Sequence, residues 1–251
     1  MNDGIIKMSP QFASMPRALL GAASPVPTPL PYWPFDANNI TSGLVGWWKL
    51  DETTGATAVD SSGSGTNGTL GGGLRFSESP GVIGNSLQGM LTASSRFITV
   101  PNNAAQNFPG DFTLAAWAKT TSLSFSFLKN ATNSNDQYEF SMRSGSPFNG
   151  LYFRGVGADL YVQSDRSALL TDGQWHHLCA TRRGTAVAIY IDGKIAGSGN
   201  PAFGSFATNT LNLTLRCNGS MDDARMYNRG LTASEVALLC AYRGRNLYES
   251  P

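Results

Sequence analysis

The chain is poor in charge. Lys, Arg, Asp and Glu together make up 14% of its 251 residues, and the formal net charge is +1. Soluble domains average about 25% charged residues, and nucleic-acid-binding domains carry clustered Lys and Arg. No basic run interleaved with aromatic residues occurs here, which argues against a nucleic-acid partner. Gly (28 residues), Ser, Thr and Asn are plentiful instead, a composition typical of turn-rich β proteins.

Cysteine is also scarce. The three cysteines, Cys179, Cys217 and Cys240, are odd in number and lack the Cys-x-x-Cys spacing of zinc sites. A disulfide framework and a structural zinc site are therefore not expected. One bridge between Cys217 and Cys240 is left open, and the alternative is that all three are buried free thiols.

Long apolar runs are missing. Nowhere do 18 apolar residues follow one another, and the stretch at residues 18–23 is too short for the apolar region of a signal peptide. We therefore expect a protein that is made in the cytoplasm, is not exported by the general secretory route and has no membrane partner.

Residues 1–42, in contrast, are rich in proline. Seven of the thirteen prolines lie there, and the alternating prolines of residues 25–31 fix φ at every second position, which predicts an extended arm. The arm is apolar, unlike a solvated linker. It is therefore predicted to dock on its own domain or on neighbouring subunits of a large assembly. The apolar residues expected to make these contacts are Phe12, Leu19, Leu20, Tyr32, Trp33 and Phe35.

Short strands separated by Gly, Asn, Asp or Pro follow the arm, about a dozen of them at spacings typical of a sandwich. In one of these strands Val187, Ile189 and Ile191 share a face, and Asp192-Gly193 after it is a two-residue hairpin turn. The pattern predicts an all-β fold, an antiparallel two-sheet sandwich or jelly roll, over residues 43–243.

One helix is predicted near the C-terminus. Thr232-Ala-Ser-Glu235 has the sequence of a capping box, and Val236, Leu239 and Tyr242 continue an apolar face after it. Residues 244–251 are predicted to form a tail without regular structure.

Four segments, in this order along the chain, resemble the laminin G-like, concanavalin A-like jelly-roll superfamily. They are residues 43–70, which begin Gly-Leu-Val-Gly-Trp-Trp; Trp175-His176-His177; the hairpin at residues 190–194; and residues 221–235, which begin Met-Asp-Asp-Ala-Arg-Met-Tyr. The resemblance implies a sandwich in which the first and last strands lie side by side. Lectins, glycanase accessory modules, adhesion domains and virion proteins all use this fold, so it does not decide the function.

The resemblance also implies a calcium site between the Gly-rich loop after the first strand and the acidic end of the last strand. Its ligands here would be Asp60, Asn67 and the carbonyls of residues 62–65, with Asp222 or Asp223 opposite. Ca²⁺ takes six to eight oxygen ligands, which a flexible loop can supply. The alternative is structural: Asp60 and Asn67 form Asx-turns, and Asp222 caps a strand or pairs with Arg225.

Aromatic and basic residues on the strands offer a ligand-binding surface. Because strand residues alternate, at most one of Trp47 and Trp48 is exposed, and we predict that Trp47 faces inward with Trp117 and Trp175. The exposed candidates for ligand binding, on strands with polar alternate faces, are Tyr152, Arg154, Tyr161 and Arg166.

Catalytic motifs are absent. The chain has five Glu, none in the Glu-x-Asp-x-x-Glu pattern that a glycosidase of this fold would present on one strand. A Gly-x-Ser-x-Gly elbow, a phosphate loop and a His-Glu-x-x-His motif are also missing. The adjacent His176 and His177 point to opposite faces of a strand, so they cannot share one metal. No catalytic residue is predicted, and we expect a non-enzymatic protein.

Two functions agree with these features. The first is a structural part of a large assembly, specifically a phage virion protein that decorates a capsid or belongs to a tail, because the apolar arm offers contacts to neighbouring subunits. The second is a carbohydrate-binding or adhesion domain of a bacterial surface protein. The expected partners are protein subunits and glycans, and the expected locations are the virion or the cell surface.

Overall fold

The computed structural model describes residues 40–91, 95–129, 138–143, 150–155, 161–164, 169–201, 205–206 and 210–242. These residues all belong to the second of two units into which the chain divides, Asp36–Pro251. The predicted arm, residues 1–42, lies outside the described residues except for its last three, and the predicted tail at 244–251 lies wholly outside them. Both stay predictions.

The described part of the chain is built almost entirely of antiparallel strands. They are β1 (Leu44–Trp48), β2 (Thr57–Ala58), β3 (Gly68–Leu70), β4 (Leu87–Met90), β5 (Ile98–Val100), β6 (Phe112–Lys129), β7 (Tyr138–Arg143), β8 (Gly150–Gly155), β9 (Tyr161–Ser164), β10 (Trp175–Arg183), β11 (Ala186–Ile191), β12 (Lys194–Gly199) and β13 (Leu213–Tyr227). Short 3₁₀ helices span Ala104–Gln106 and Leu169–Thr171, and an α-helix, α1, spans Ala233–Ala241.

Two long strands, β6 and β13, run through both layers of a sandwich. The first half of β6 pairs with β10, followed by β11 and β12, and this is the first layer. Its second half pairs with β7, followed by β8 and β9, and this is the second layer. β13 follows β6 through both layers, with a register shift between Cys217 and Gly219. A Cβ on Gly219 would collide with the carbonyl oxygen of Lys119, so this bend requires glycine.

The first and last strands of the fold lie side by side. β1 pairs with the second half of β13, so that Trp47 lies opposite Arg225 and Trp48 opposite Ala224. The other half of β13 pairs with β5, which continues the second layer to β3 and β2. The predicted all-β antiparallel jelly roll, closed by the two ends of the folded segment, is confirmed.

The main core lies between the layers and is rich in aromatic rings. The rings of Phe112 and Phe153 meet at a tilt of 35° with 5.0 Å between their centroids, and Phe125 and Phe140 meet edge to face at 5.7 Å. These four side chains are at most 2% exposed. Contacts of this kind add about 0.5–1.5 kcal/mol each to the apolar area that they bury.

A second, smaller core lies on the outer face of the first layer, under α1. It consists of Ala115, Cys179, Tyr190, Tyr227, Leu231, Val236 and Leu239. The predicted capping box is present: the Thr232 Oγ1 accepts from the Glu235 N–H at 3.2 Å, and Glu235 Oε2 accepts from the Thr232 N–H at 2.7 Å. Each bond satisfies a backbone donor that a helix start leaves open.

The predicted alternation in β1 is wrong. Trp48 faces the main core with 0% exposure and donates its Nε1–H to the Thr66 carbonyl at 3.0 Å. Trp47 lies on the outer face and is partly exposed. The register decides this, because Trp48 pairs with the core residue Ala224. Trp117 is buried as predicted, at 2% exposure, whereas Trp175 is partly exposed rather than in the core.

The three cysteines, all within the described residues, form no disulfide. Cys217 belongs to the main core and Cys240 to α1, on the outer face of the first layer, so the bridge left open by the sequence is not formed. Burial raises the pKa of Cys217 to about 12 and raises that of Cys179 as well. Both thiols are therefore protonated at neutral pH and poor nucleophiles.

Candidate ligand-binding site

A pocket of about 210 Å³ opens on the outer face beside β1 and the end of α1. We call it the Trp47 pocket, and it is lined by Trp47, Lys49, Asp51, Ile83, Asp223 and Tyr242. The first three residues come from the end of β1 and the segment that follows it, in which Leu50 has a φ of +65°. The others come from the loop at residues 80–85, from β13 and from the residue that ends α1.

The indole of Trp47 is held in place on several sides. Its Nε1–H donates to Asp223 Oδ1 at 2.6 Å, and its backbone N–H donates to Asp60 Oδ1 at 3.0 Å. The Arg225 Cζ lies 4.5 Å from the ring centroid and the Lys49 Nζ lies 4.6 Å from it. A cation is attracted to the negative face of an indole. The ring is therefore fixed in orientation while part of it remains open to solvent.

Arg225 and Asp223 form a buried ion pair next to this ring. The Arg225 Nε–H donates to Asp223 Oδ1 at 3.1 Å, Nη2 lies 3.0 Å from Oδ2, and the two side chains are 2% and 5% exposed. Burial alone lowers the pKa of Arg225, but the charge of Asp223 outweighs it, and the net shift is upward. Asp223 has a φ of +48°, at a register shift in β13. This local twist aims its carboxylate at Trp47.

The loop that carries Ile83 is anchored by two carboxylates. Asp222 Oδ2 accepts from the backbone N–H groups of Val82 at 2.7 Å and Ile83 at 2.9 Å. Asp51 Oδ1 accepts from the Asn85 N–H at 2.7 Å. Gly84 has a φ of +66°, and a Cβ there would collide with the Asp51 carboxylate. The loop wall of the pocket is thus built on Asp222 and Asp51.

Asp222 itself is sealed beneath this loop. It is 0% exposed, and its Oδ1 accepts no hydrogen bond from the described part of the chain. Burial raises the pKa of Asp222 to about 7, the charges of Asp223 and Asp51 add to the rise, and the loop N–H groups oppose it. Desolvation disfavours the charged carboxylate, so Asp222 titrates near neutral pH.

Two of the residues predicted to hold calcium, Asp60 and Asn67, take part in hydrogen bonds of the protein itself. The Asp60 carboxylate accepts three hydrogen bonds from backbone N–H groups: from Trp47 at 3.0 Å, from Ser62 at 2.9 Å and from Thr66 at 2.9 Å. Asn67 Oδ1 accepts from the Asp60 N–H at 2.8 Å. The bond from Ser62 is the Asx-turn that the structural alternative predicts at Asp60.

The ion pair at the acidic end of β13 is not the one that the structural alternative predicts. Asp223, not Asp222, pairs with Arg225, because the register shift turns the two carboxylates in different directions. Asp222 Oδ1 is a side-chain oxygen of the predicted set that accepts no hydrogen bond from the described residues. Within the described ranges, no three His, Cys, Asp or Glu side chains are grouped so that they could hold a metal ion. Calcium binding stays a prediction.

Three of the residues predicted as a ligand-binding surface, Tyr152, Arg154 and Tyr161, lie on strands of the second layer. Tyr152 and Arg154 are on β8, beside Glu139 of β7. The predicted exposure of Tyr152 is wrong: it is 1% exposed, and its hydroxyl donates to Glu139 Oε1 at 2.6 Å. The Arg154 side chain is 38% exposed. Tyr161 pairs with Arg154 through the backbone, and Arg166 lies outside the described residues. A binding role for these residues stays a prediction.

The two histidines of β10 have different environments, as their positions in the strand predict. His176 lies between two carboxylates, with Nδ1 2.8 Å from Asp192 Oδ2 and Nε2 3.2 Å from Asp172 Oδ1. Burial lowers the pKa of His176, but these partners outweigh it and raise the pKa. His177 packs edge to face on Trp117 at 5.2 Å, and burial lowers its pKa to about 3.

The family of the chain follows from a direct match. The laminin G model that describes the concanavalin A-like lectin/glucanases superfamily matches residues 92–237, more than half of the sequence. The chain belongs to the concanavalin A-like lectin/glucanases superfamily. No curated protein sequence matches this chain significantly.

Two solved structures of similar fold are binding domains of toxins. The binding domain of Paraclostridial Mosquitocidal Protein 1 aligns with a TM-score of 0.63 and 20% identity over 80% of this chain and 52% of that one. The binding domain of Botulinum neurotoxin DC, solved with rat synaptotagmin II, aligns with a TM-score of 0.61 and 14% identity over 80% and 52%. This superfamily member therefore spans about half the length of these two domains.

A third structure matches along nearly its whole length. Domain 4 of AbnA, a GH43 extracellular arabinanase from Geobacillus stearothermophilus, was solved in complex with arabinotriose. It aligns with a TM-score of 0.54 and 19% identity over 79% of this chain and 98% of that domain. At these identities the likeness concerns the fold. Among the described residues, no helix is long and apolar enough to cross a membrane.

Sequence reasoning missed most of the Trp47 pocket. Lys49 follows Trp47 at an interval of two, so a correct assignment of Trp47 to the outer face would have placed these two together, whereas Asp51 reaches the pocket through the positive φ of Leu50, which the sequence does not reveal. Ile83 and Tyr242 carry no such signal. They reach the pocket through a loop anchored by distant carboxylates and through the end of α1.

Proposed function

We propose that this chain is a non-catalytic glycan-binding module and that the Trp47 pocket holds one sugar ring. The observation that carries the proposal is a partly exposed indole, fixed by Asp223 and Arg225, at the wall of a pocket with polar groups around it. A rigid aromatic face offers apolar area to the C–H face of a sugar at little cost in conformational entropy. The pocket is smaller than those that enclose drug-sized ligands, about 300 Å³ and more, which favours a single ring or a chain end.

The polar groups at the rim match sugar hydroxyls. Lys49 is exposed and brings three N–H donors. Asp51 is partly exposed, and a carboxylate has about four acceptor positions, of which the Asn85 N–H takes one. The Lys49 ammonium now lies over the indole. A sugar that stacks there takes its place and receives its hydrogen bonds.

The comparisons support a binding role. The domain of AbnA that matches this chain along 98% of its length was solved with arabinotriose, and the two toxin structures are binding domains by description. The non-catalytic part of the proposal is supported by the state of the carboxylates. Asp223 is engaged by Arg225, and Asp222 has no exposed surface, so neither is poised as an acid or nucleophile toward a sugar in the pocket.

The test is a binding screen of the full-length protein against neutral oligosaccharides, including arabinan fragments, followed by calorimetry on the best ligand. Trp47→Ala is expected to weaken that ligand at least about tenfold, because loss of a stacking aromatic removes a large part of the contact area. Trp175→Ala is the matched control, since Trp175 is also partly exposed but does not line the pocket.

The outcomes separate the function from the site. Binding that survives Trp47→Ala would contradict the assignment of the pocket. The absence of binding to every glycan would contradict the function. Hydrolysis of a bound oligosaccharide would contradict the non-catalytic part.

The location of the protein stays a prediction. A glycan-binding module suits a phage virion and a bacterial cell surface equally, and the arm on which the virion role rests lies outside the described residues. Mass spectrometry of purified particles tests the virion role: a stoichiometric copy number is the expected result, and absence from particles would contradict it.

A further inference from the structure

The Trp47 pocket already holds an ammonium group, the protein's own. The Lys49 Nζ lies 4.6 Å from the centroid of the Trp47 ring, and Lys49 is an exposed residue. Within the described part of the chain, no carboxylate forms an ion pair with Lys49. The ammonium therefore rests on the negative face of the indole and can leave it for solvent without breaking a salt bridge.

The second cation at this ring is of a different kind. The Arg225 Cζ lies 4.5 Å from the Trp47 centroid, but the Arg225 side chain is 2% exposed and is paired with Asp223. Removing Arg225 from the ring would break this buried pair, whereas moving Lys49 would not. Lys49 is thus the cation of the pocket that a ligand can replace.

Asp51 is a carboxylate of the same pocket that lacks a cation. It is partly exposed, and its Oδ1 accepts from the Asn85 N–H at 2.7 Å. Among the described residues, no Lys, Arg or His forms an ion pair with Asp51 and no donor is bonded to its Oδ2. A carboxylate has about four acceptor positions, so most of those on Asp51 are open to a ligand.

Once Lys49 has moved away, the pocket suits a positive charge. The charge of Asp223 is balanced by Arg225, which leaves the negative charge of Asp51 among the lining residues. Tyr242 adds a second aromatic ring beside the indole. An ammonium group binds well where aromatic faces and a carboxylate meet. The pocket measures about 210 Å³, so a group that enters it lies close to all of these walls.

We propose that the preferred ligand of the Trp47 pocket is an amino sugar, a hexosamine unit with a free, protonated amine. Its ammonium group takes the place of the Lys49 ammonium at the indole and pairs with Asp51, while its ring stacks in the pocket. That the ligand is a glycan rests on the proposed function, whereas its positive charge rests on Lys49 and Asp51. Lys49 competes with the ligand and therefore lowers the affinity.

The experiment is calorimetry of the full-length protein with a glucosamine oligosaccharide and with its N-acetylated form of equal length. Acetylation removes the positive charge and leaves the sugar rings in place. The wild type is expected to bind the amino form about tenfold more tightly than the acetylated form, because hydrogen bonds between charged groups are the strong ones. High salt is expected to reduce this ratio of affinities.

Asp51→Asn is expected to bring the ratio of the two affinities close to one. The amide keeps an acceptor for the Asn85 N–H and removes the charge. Asp111→Asn is the matched control, because Asp111 is exposed and its Oδ1 also accepts a backbone N–H, that of Gly184 at 2.6 Å. This control is expected to keep the wild-type ratio. An unchanged ratio in Asp51→Asn would overturn the proposal.

Lys49→Gln provides a test that misfolding cannot imitate. It removes the competing ammonium and its repulsion, so it is expected to tighten binding of the amino form severalfold. Lys194→Gln, at an exposed lysine of β12, is the control and is expected to change nothing. Binding of the amino form that is weaker or unchanged in Lys49→Gln would contradict the competition by Lys49.

Failure of this inference and failure of the proposed function give different results. A wild type that binds the amino and acetylated forms equally well overturns the preference for an amine and leaves the glycan-binding function in place. A wild type that binds neither of these forms nor any neutral oligosaccharide contradicts both. Binding of the amino form that survives Trp47→Ala would place the ammonium outside the pocket. Tetralysine bound as tightly as the amino form would contradict a glycan ligand.

Discussion

Trp47 Nε1 and Asp223 Oδ1 are joined by a hydrogen bond of 2.6 Å across 176 positions of the chain. The bond connects the first strand to the last at the point where the register of β13 shifts. It closes the sandwich and, at the same time, fixes the indole at the wall of the pocket. Fold and candidate site therefore depend on the same pair of residues.

Arg225→Met is expected to be strongly destabilising. It leaves the Asp223 carboxylate, 5% exposed, without its cation, and breaking a buried ion pair costs about 3–5 kcal/mol. Urea denaturation measures the change. Arg229→Met is the matched control, because the pair of Arg229 with Glu235 is more exposed, at 27% and 11%, and such pairs contribute about 1 kcal/mol or less. Equal losses in the two variants would contradict this account of the buried pair.

Thr232→Ala is expected to cost about 1 kcal/mol, the usual contribution of an N-cap side chain. The Thr232 hydroxyl accepts the Glu235 N–H at the start of α1, and this helix covers the smaller core. Thr53→Ala, in an exposed turn, is the control, with a change within about 0.5 kcal/mol. A loss no larger at Thr232 than at Thr53 would show that the cap does not stabilise the helix. Chemical denaturation followed by circular dichroism gives both values.

The sequence was sufficient for the parts of the fold that local chemistry dictates. The capping box at Thr232 and the alternation of Val187, Ile189 and Ile191, all at most 3% exposed, are present as predicted. Both patterns can be recognised from a few neighbouring residues, because a helix cap and an alternating strand depend on local sequence. The pairing of β1 with β13 needed the resemblance to a known family in addition.

The candidate site was predictable only in part, because it depends on register. Trp47 and Trp48 are neighbouring residues of the same type, so the local sequence does not distinguish them. Only the pairing with Arg225 and Ala224 decides which of them faces outward. Likewise, the sequence Asp222-Asp223 does not reveal the register shift in β13. Because of this shift the Asp222 carboxylate binds the loop at Val82, and the Asp223 carboxylate binds the Trp47 indole. Register shifts of this kind leave little trace in a single sequence.

The wild-type protein is expected to lose stability as pH falls below 6.5 because of His177, and the variant His177→Phe is expected to lose less. The folded pKa of His177 is about 3 and its ordinary value is 6.5, so between these values the unfolded chain binds the proton and the folded chain does not. This group therefore makes stability fall as pH decreases from 6.5, by up to about 5 kcal/mol at pH 3 at about 1.4 kcal/mol per pH unit. Phe keeps the ring packed on Trp117.

The measurement for His177 is the free energy of unfolding from pH 4 to 8. The variant is expected to have a smaller positive slope of stability against pH below 6.5 than the wild type. Parallel curves for the two proteins would contradict the low pKa. His176 acts in the other direction, because its raised pKa contributes stability that is present below 6.5 and is lost as pH rises through the folded value.

Asp222 is expected to lower the stability of the wild-type protein as pH rises, which is the opposite direction from His177, and Asp222→Asn is expected to remove this effect. The folded pKa of Asp222 is about 7 and its ordinary value is 3.8, so the folded chain holds the proton that the unfolded chain has released. This group makes stability fall as pH rises from 3.8 through 7, by up to about 4 kcal/mol. Asn keeps an acceptor for the Val82 and Ile83 N–H groups and has no charge to bury.

The Asp222→Asn variant is therefore expected to gain stability over the wild type at pH 8 and to gain little at pH 4. Asp222→Ala is the contrasting variant, since it removes the acceptor and is expected to loosen the loop at Ile83 and weaken sugar binding in the Trp47 pocket. A variant Asp222→Asn that is less stable than the wild type at pH 8 would contradict the raised pKa.

The predicted calcium site is testable through the same residue. Asp222 Oδ1 is the oxygen in the predicted set that accepts no hydrogen bond from the described residues, and Ca²⁺ binds the ionised carboxylate. Calcium is therefore expected to raise the melting temperature more at pH 8 than at pH 6, and Asp222→Asn is expected to abolish the shift. A ligand at 100 times its Kd adds about 2.7 kcal/mol, which a thermal melt resolves easily. Magnesium is the control cation, because it demands six ligands in strict octahedral geometry. A wild-type melt that millimolar calcium leaves unchanged would contradict the site, and a shift that survives in Asp222→Asn would place the ion elsewhere.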